Sequence, residues 1–171
     1  ELTQYNCVQS SDAICDVLQI VCQGKVRLLA FDASLGKEVS IQLLHKNQVF
    51  GGDNAFCTQY REYRTVASSD GTLAQISLEH LGIWLQLYPA LFDYCSQISK
   101  SRQKLIFFKT LAQLRSDKQP LSQNIPTLEK ILPYILETKI DAGSALTTAS
   151  PSDGRFWLVS GEIKSISGKN R

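Results

Sequence analysis

The stretch QVFGGDNAFCTQYREYRTVA, residues 48–67, contains the side chains in this sequence that are best suited to holding an anion. Gly51 and Gly52 are adjacent, Asp53 follows them directly, and Arg61 and Arg64 lie three residues apart. Glycines allow backbone N–H groups to turn toward an anion, and a guanidinium can bind two anion oxygens at once. The stretch has a second interpretation, a β-turn followed by charged surface, and only the surrounding elements can decide between the two.

The composition argues against several other kinds of function. The 171 residues are 43% hydrophobic and 20% charged, which is typical of a soluble globular protein. A net charge of +2 provides no extended basic surface, so we expect no binding to nucleic acid. No apolar run approaches the roughly 18 residues that span a bilayer, and no leader-like segment opens the sequence. We therefore expect a soluble fragment located in the cytoplasm.

The cysteines and histidines predict neither a metal site nor an enzyme. The only histidines are His45 and His80. An odd number of scattered cysteines without CxxC spacing is typical of a reducing compartment and fits neither zinc nor a disulfide framework; they are Cys7, Cys15, Cys22, Cys57 and Cys95. A thiol–imidazole pair of Cys57 with His45 would lack a third orienting group. We expect no catalytic residue, metal ligand or cofactor.

The first third of the chain has the pattern of β-strands. Residues 16–31 carry apolar and β-branched side chains on both sides of Gly24, which predicts two short strands or one strand bent at the glycine. The segment 32–37 (DASLGK) suits a hairpin loop. Residues 38–44 alternate, which predicts a half-buried strand with one face formed by Val39, Ile41 and Leu43.

Further short strands follow the glycine- and arginine-containing stretch. YRTVAS and TLAQIS are separated by the turn sequence SDG at residues 69–71. Short strands at a spacing of about ten residues predict a barrel or a sandwich.

The periodicity becomes helical at Ser77. Ser77 is a plausible N-cap with His80 at the position of a capping-box residue, and Pro89 divides the segment into two helices. The charged run 99–104 (SKSRQK) is interpreted as a solvated helix face. The second helix carries an apolar stripe formed by Leu91, Tyr94, Cys95, Ile98, Leu105, Phe108, Leu111 and Leu114.

The C-terminal part contains a possible repeat of the first strands. LQIVCQGKVRLL (18–29) and RFWLVSGEIKSI (155–166) both consist of an apolar run, one glycine, a charged residue and a second apolar run. The polar segment 117–125 is the best candidate linker. We therefore predict a domain at 1–116, this linker, and the beginning of a second similar unit at 126–171.

In the order of its elements the chain resembles the cyclic-nucleotide-binding domain family, which includes bacterial catabolite activator proteins and kinase regulatory subunits. LQIVCQGKVRLLAF resembles the strand–Gly–strand segment of that family. VFGG resembles the start of its phosphate-binding cassette, and YRTV resembles the end of the cassette. ISLEHLGIWLQLYPAL resembles the first of its C-terminal helices. The resemblance implies an α+β fold: an antiparallel β-roll followed by helices, with the start of a second similar unit.

The resemblance also implies a ligand site. By motif position Arg64 would bind the cyclic phosphate, and Thr65 would provide the adjacent hydroxyl group. Gly51 and Gly52 would provide backbone N–H donors. The family has a glutamate for the ribose hydroxyl where this chain has Gly52, and Asp53 comes one residue later. Loss of a charged hydrogen bond of this kind costs about 1.5–3 kcal/mol. We therefore predict a site that retains its phosphate contact and lacks its sugar contact.

Three interpretations of function follow from the sequence. The first is a regulatory or interaction domain with a degenerate cassette, in which Glu62 or Asp53 pairs with Arg61 or Arg64. The second is a sensor for cyclic AMP or cyclic GMP with altered selectivity. The third is a β-barrel unrelated to that family.

The wider context is also an expectation from the resemblance. A repeated cyclic-nucleotide-like unit without a helix-turn-helix resembles the regulatory region of cyanobacterial ABC exporters that carry a peptidase domain, so the parent protein would be membrane-bound. In the family the long helix often forms a dimer contact, which makes a homodimer through residues 78–115 possible. Phe107 and Phe108 would pack in a seam within the chain or between two chains.

Overall fold

The computed structural model describes residues 7–9, 16–111, 128, 130–136, 138–144, 158 and 161. The chain divides into two compact units, Glu1–Ile135 and Leu136–Arg171. The predicted linker at 117–125 lies outside the described residues, as do all but two residues of the predicted repeat at 155–166. The domain boundaries at 116 and 126 therefore stay predictions.

In the part of the chain that the structure describes, seven antiparallel strands form two sheets. Strands β1, β6, β3 and β4 form one sheet in that order, and β5, β2 and β7 form the other. Their apolar inner faces enclose a core that includes Val21, Val26, Leu28, Ile41 and Phe50, each fully buried. The predicted antiparallel β-roll is confirmed. The strands are β1 Cys7–Gln9, β2 Val17–Gln23, β3 Val26–Asp32, β4 Lys37–Leu44, β5 Val49–Phe50, β6 Arg64–Ala67 and β7 Thr72–Ser77.

Two of the corners at which the chain crosses between the sheets touch each other. Strands β2 and β3 belong to different sheets and are joined at Gly24, whose φ is 85°. A Cβ atom on Gly24 would lie 2.5 Å from the carbonyl oxygen of Asp70, and one on Gly71 would collide with the carbonyl of Gln23. Both corners therefore require glycine. The sequence allowed two short strands or one strand bent at Gly24, and the structure has two separate strands.

Strands β6 and β7 are consecutive in the sequence but lie in different sheets. The predicted turn at residues 69–71 joins them, and they do not form a hairpin with each other. Strand β6 pairs with β3 and β1, whereas β7 pairs with β2. A turn sequence predicts that the chain reverses direction and does not specify which strand it will pair with.

Strand β4 contains a bulge that the alternating pattern did not predict. Leu28 pairs with Gln42 and the next residue of β3 pairs with Ser40, so Ile41 is the extra residue. Ile41 and Leu44 are buried, whereas Leu43 is only half-buried. The prediction of Leu43 on the core face was wrong because the bulge shifts the alternation by one residue.

Two helices follow the roll as predicted. Helix α1 is Leu78–Leu87, and the Ser77 hydroxyl caps it by accepting a hydrogen bond from the His80 backbone N–H at 3.3 Å. Helix α2 is Pro89–Thr110, with the proline in its first turn, where a missing N–H has no cost. No helix in the described part of the chain is long and apolar enough to cross a membrane.

The second half of α2 is largely buried, which corrects part of the interpretation of residues 99–104. Ser99, Arg102 and Gln103 are buried, whereas Lys100 and Ser101 are exposed as predicted. Phe107 and Phe108 are also buried, in an edge-to-face pair with centroids 5.1 Å apart, so the described chain itself already covers this seam. The Lys109 ammonium donates to the carbonyl oxygens of Ser40 and Ile41 at the bulge, at 2.8 and 2.6 Å.

The corner at Gly24 can be tested against a glycine in open space. Gly36 also has a positive φ, 61°, but a Cβ there would meet no atom within 4 Å. We expect Gly36→Ala to lower the free energy of unfolding by about 1 kcal/mol through backbone strain alone. Gly24→Ala adds a collision with backbone and should cost at least about 3 kcal/mol in urea denaturation. Equal losses in the two variants would contradict the contact between the corners.

Candidate functional site

The loop after β5 has the backbone shape that the sequence predicted. Gly51 and Gly52 both lie in the left-handed region, with φ of 84° and 66°. A Cβ on Gly52 would also lie 2.8 Å from the Leu78 side chain, where α1 begins. A one-turn 3₁₀ helix, Asp53–Ala55, follows directly. We call residues 50–65 the cassette.

A buried tyrosine uses the backbone donor of the first glycine. The Gly51 N–H donates to the Tyr63 hydroxyl oxygen at 3.0 Å. Tyr63 is only 6% exposed, and burial raises its pKa above the ordinary value for a phenol, so the side chain stays neutral. The N–H group that the resemblance assigned to a ligand therefore donates to Tyr63, and this bond joins the start of the cassette to its end.

The acid of the cassette is bonded to helix α2. The Asp53 carboxylate forms an ion pair with the Arg102 guanidinium, and neither side chain is more than 3% exposed. Arg102 also donates to the Tyr63 hydroxyl at 3.3 Å and to the carbonyl oxygen of Val49. Burial alone would lower the pKa of Arg102, but Tyr63 and Asp53 together raise it above its ordinary value, so the guanidinium remains charged.

The next residue of α2 holds the other end of the cassette. The Gln103 amide nitrogen donates to Asp53 and to the carbonyl oxygen of Arg61, both at 3.3 Å. Its amide oxygen accepts from the Arg61 backbone N–H at 2.7 Å. The expectation that Asp53 pairs with Arg61 or Arg64 was wrong, because a helix more than forty residues later supplies the partner.

Arg64 lies on the opposite side of its strand from the core. In β6, Thr65 pairs with Leu28 of β3, and both residues are completely buried. Successive side chains of a strand point to opposite faces, so Arg64 is on the outer face of this sheet. There it makes a two-pronged ion pair with Glu38, with Arg64 Nε 2.9 Å from the carboxylate. The hydrogen bond from Arg64 lowers the pKa of Glu38.

The structure thus brings together only part of the predicted set of site residues. Gly51, Gly52 and Thr65 are buried, whereas Arg64 faces the other way and is bonded to Glu38. The Thr65 hydroxyl has no hydrogen-bond partner among the described residues. Ligand binding by these four residues stays a prediction.

A second arginine of the cassette lies beside a cavity. The cavity has a volume of about 350 Å³, and its walls come from the end of β3, from residues 60–62, and from Ile106 and Thr110 of α2. Arg61 lines this cavity, with its guanidinium carbon 4.9 Å from the centre of the Phe107 ring. Among the described residues, this is the place where an arginine of the cassette, the roll and α2 meet.

Sequence reasoning assigned no functional role to Arg102 or Gln103, and it assigned the ligand phosphate to Arg64 rather than to Arg61. A signal for Arg102 existed, because Ser99 and Ile106 lie three residues before it and four after it, on one helix face. For Arg61 the signal was weaker. It required the knowledge that Thr65 points inward and therefore that Arg64 points outward. Arg61, three residues before the strand begins, is then the other arginine of the cassette.

The buried ion pair can be compared with the surface pair. We expect Arg102→Met to lower the free energy of unfolding by about 3–5 kcal/mol, because it leaves the Asp53 carboxylate buried without its partner. Glu38→Gln breaks the half-exposed pair with Arg64 and should cost less than about 1 kcal/mol.

Urea denaturation of Arg102→Met and Glu38→Gln measures this difference. The double variant Asp53→Asn/Arg102→Met should lose less free energy of unfolding than the sum of Asp53→Asn alone and Arg102→Met alone, since the two changes remove the same interaction. A loss in Arg102→Met no larger than that in Glu38→Gln would contradict the buried pair.

Comparisons by sequence give no match, since neither a protein-family model nor a curated protein matches this chain significantly. Solved structures do match. The c-di-GMP-responsive global regulator CLP of Xanthomonas campestris gives a TM-score of 0.54 at 19% identity, covering 68% of this chain and 58% of CLP. A mutant of CooA from Carboxydothermus hydrogenoformans gives 0.51 at 16% identity, covering 68% of this chain and 49% of CooA.

A transcriptional regulator from Thermotoga maritima gives a TM-score of 0.51 at 17% identity, covering 64% of this chain and 88% of that protein. This chain spans about half the length of CooA and 58% of that of CLP. At such identities the likeness is one of fold. The chain therefore has the fold of the cyclic-nucleotide-binding domain, an antiparallel β-roll followed by helices.

Proposed function

We propose that this chain is a regulatory domain whose cassette is closed by its own helix α2 and which acts through the position of that helix. The observation that carries the proposal is the ion pair of Asp53 with Arg102, buried between the cassette and α2. A buried charge pair with further hydrogen bonds fixes one arrangement of two elements more strictly than apolar contact does. The cassette and the helix would then move together.

The proposal is supported by how much of the cassette is already bonded within the chain. The Gly51 N–H is used by Tyr63, the Asp53 carboxylate by Arg102 and Gln103, and Arg64 by Glu38. A ligand that took over the Asp53 carboxylate would have to break a buried ion pair, at a cost of about 3–5 kcal/mol. That cost corresponds to a loss of roughly two to four orders of magnitude in affinity.

A second function, cyclic-nucleotide sensing, is favoured by the cavity beside Arg61. Its volume of about 350 Å³ falls within the range of small-molecule sites. A phosphate there would be held by Arg61 rather than Arg64, with Tyr60 and Ile106 among the neighbouring walls. Signalling would again pass to α2, because Ile106 belongs to that helix.

Partners and context remain part of the proposal. A homodimer through residues 78–115 would use the exposed apolar side chains of α1 and the start of α2, since Phe107 and Phe108 are buried in the chain. These exposed residues include Ile83, Trp84, Leu87, Tyr88 and Phe92. Attachment to an exporter rests on the sequence resemblance alone, and a cytoplasmic location rests on the composition and the scattered cysteines.

Melting temperatures with millimolar cyclic AMP, cyclic GMP or c-di-GMP separate the two functions. A closed cassette predicts no shift for the unmodified chain. A sensor present at 100 times its Kd should gain about 2.7 kcal/mol, a rise of several degrees for a chain of this size.

Two variants locate the site if a shift is found. Arg61→Ala should abolish it and Arg64→Ala should retain it if the cavity beside Arg61 is the site. The reverse pattern would support the assignment to Arg64 from the sequence. Either shift would overturn the closed cassette as the main function.

A further inference from the structure

We propose that the outer face of helix α1 and of the start of α2 is a docking site for a basic amphipathic helix of a partner protein. This docking face consists of exposed apolar side chains on both sides of Pro89, namely Ile83, Trp84, Leu87, Tyr88 and Phe92. Each of them is between 45% and 66% exposed. The inference does not depend on whether the cassette binds a nucleotide.

Helix α1 is apolar on two sides, and the roll covers only one of them. Leu81 is buried, and Leu78 and Leu85 pack against the same core cluster. Ile83 and Leu87 are four residues apart, so they lie together on the other, exposed side of the helix. A helix that is apolar all round is normally buried on all sides. The exposed side of α1 is therefore expected to have a partner.

The aromatic side chains of the docking face are suited to an interface. The rings of Trp84 and Tyr88 stack on each other, with centroids 5.9 Å apart and planes inclined by 17°. Because each ring already restricts the other, less side-chain entropy is lost when a partner covers them. Tryptophan and tyrosine are also enriched among the residues that contribute most of the binding energy at interfaces.

The size of the docking face favours a single helix over a second copy of this chain. At these exposures its side chains offer on the order of 500 Å² of surface, since a whole aromatic side chain accounts for roughly 150–250 Å². A standard interface buries about 800 Å² on each partner, and obligate homodimers bury more. A few apolar anchors on one face are what an amphipathic helix presents to the surface that binds it.

The charges beside the docking face indicate that the helix is basic. The sequence has no lysine or arginine between Arg64 and Lys100, whereas its acidic residues in this segment include Glu79 of α1 and Asp93 of α2. Both of these carboxylate side chains are exposed. Lysine or arginine side chains on the partner would compensate them, whereas a second copy of this chain would bring further carboxylates to the interface.

The docking face also contacts the cassette. The centroid of the Phe92 ring lies 5.8 Å from that of the Phe56 ring, and Phe56 is a buried residue of the cassette. A shift of the cassette would reach the docking face through this pair. That link rests on the function proposed above, whereas the docking itself does not.

The test uses the full 171-residue chain carrying Trp157→Phe, which leaves Trp84 as the only tryptophan. The probes are the peptides KLLKLLKKLLKLLK and ELLELLEELLELLE, which have the same apolar pattern and opposite charge. The basic peptide should bind in a saturable manner and shift the Trp84 emission to shorter wavelength. At low salt it should bind at least about tenfold more tightly than the acidic peptide.

Two leucine variants test whether the peptide occupies this face. Leu87→Gln removes an anchor from the docking face and should weaken the binding at least about tenfold. Leu35→Gln changes a leucine that is 47% exposed in the turn between β3 and β4, and it should leave the affinity unchanged. Neither leucine is buried, so both variants should fold.

Several outcomes would overturn the proposal. These are no saturable binding, equal affinity for the two peptides, or equal effects of the two leucine variants. Self-association of the free chain that Leu87→Gln abolishes would show that a second copy covers the face instead. Trp84 emission that is already at short wavelength in the free, monomeric chain would show that the chain covers the face itself.

The link to the cassette has its own test. If it exists, Arg102→Lys should change the affinity for the basic peptide, because this variant alters the contact between the cassette and α2. An unchanged affinity in Arg102→Lys would overturn the link, and saturable binding that Leu87→Gln weakens would still support the docking face.

Discussion

The buried ion pair between Asp53 and Arg102 is the interaction on which the arrangement of the cassette and helix α2 depends. Two charges without contact to water are tolerated only when their remaining hydrogen-bonding groups are satisfied. Tyr63, Val49 and Gln103 provide most of these bonds. The left-handed glycines before Asp53 follow from the same requirement, because they turn the chain so that the carboxylate enters the core.

Helix α2 makes several directional polar contacts with the roll in its second half, beside its buried apolar side chains. Gln103 bonds to the end of the cassette, and Lys109 donates to the carbonyls of Ser40 and Ile41 at the bulge. The bulge interrupts the pairing of β4 with β3 at these residues, and the lysine provides a donor for both carbonyls. Such contacts fix one register of helix on sheet, so a change in the cassette can be transmitted as a discrete shift of α2.

The sequence predicted those features that depend on neighbours along the chain. Ser77 as a helix cap, the break at Pro89 and the corner at Gly24 are local signals, and the structure contains all three. The burial of Arg102 was not predictable in this way, since its partner Asp53 lies 49 residues earlier.

The orientation of Arg64 and the bulge at Ile41 were missed for a related reason. Both depend on the register between neighbouring strands, and a shift of one residue reverses the face on which a side chain lies. The pattern of residues 38–44 specifies a strand but not the residue at which its pairing slips. Gly51 and Gly52 do have a positive φ, a conformation that glycine adopts without a steric cost, so this local feature does not depend on the register.

The measurement that tests this account most directly is amide hydrogen exchange in the unmodified chain and in Arg102→Lys. The lysine keeps the positive charge but lacks the planar guanidinium that bonds to several acceptors at once. The Gly51 and Arg61 N–H groups bond to Tyr63 and Gln103 within the network. If Arg102 holds the cassette closed, both amides should exchange at least about tenfold faster in the variant, with little change in the core strand β3. Unchanged exchange at Gly51 and Arg61, or equal acceleration throughout β3, would contradict it.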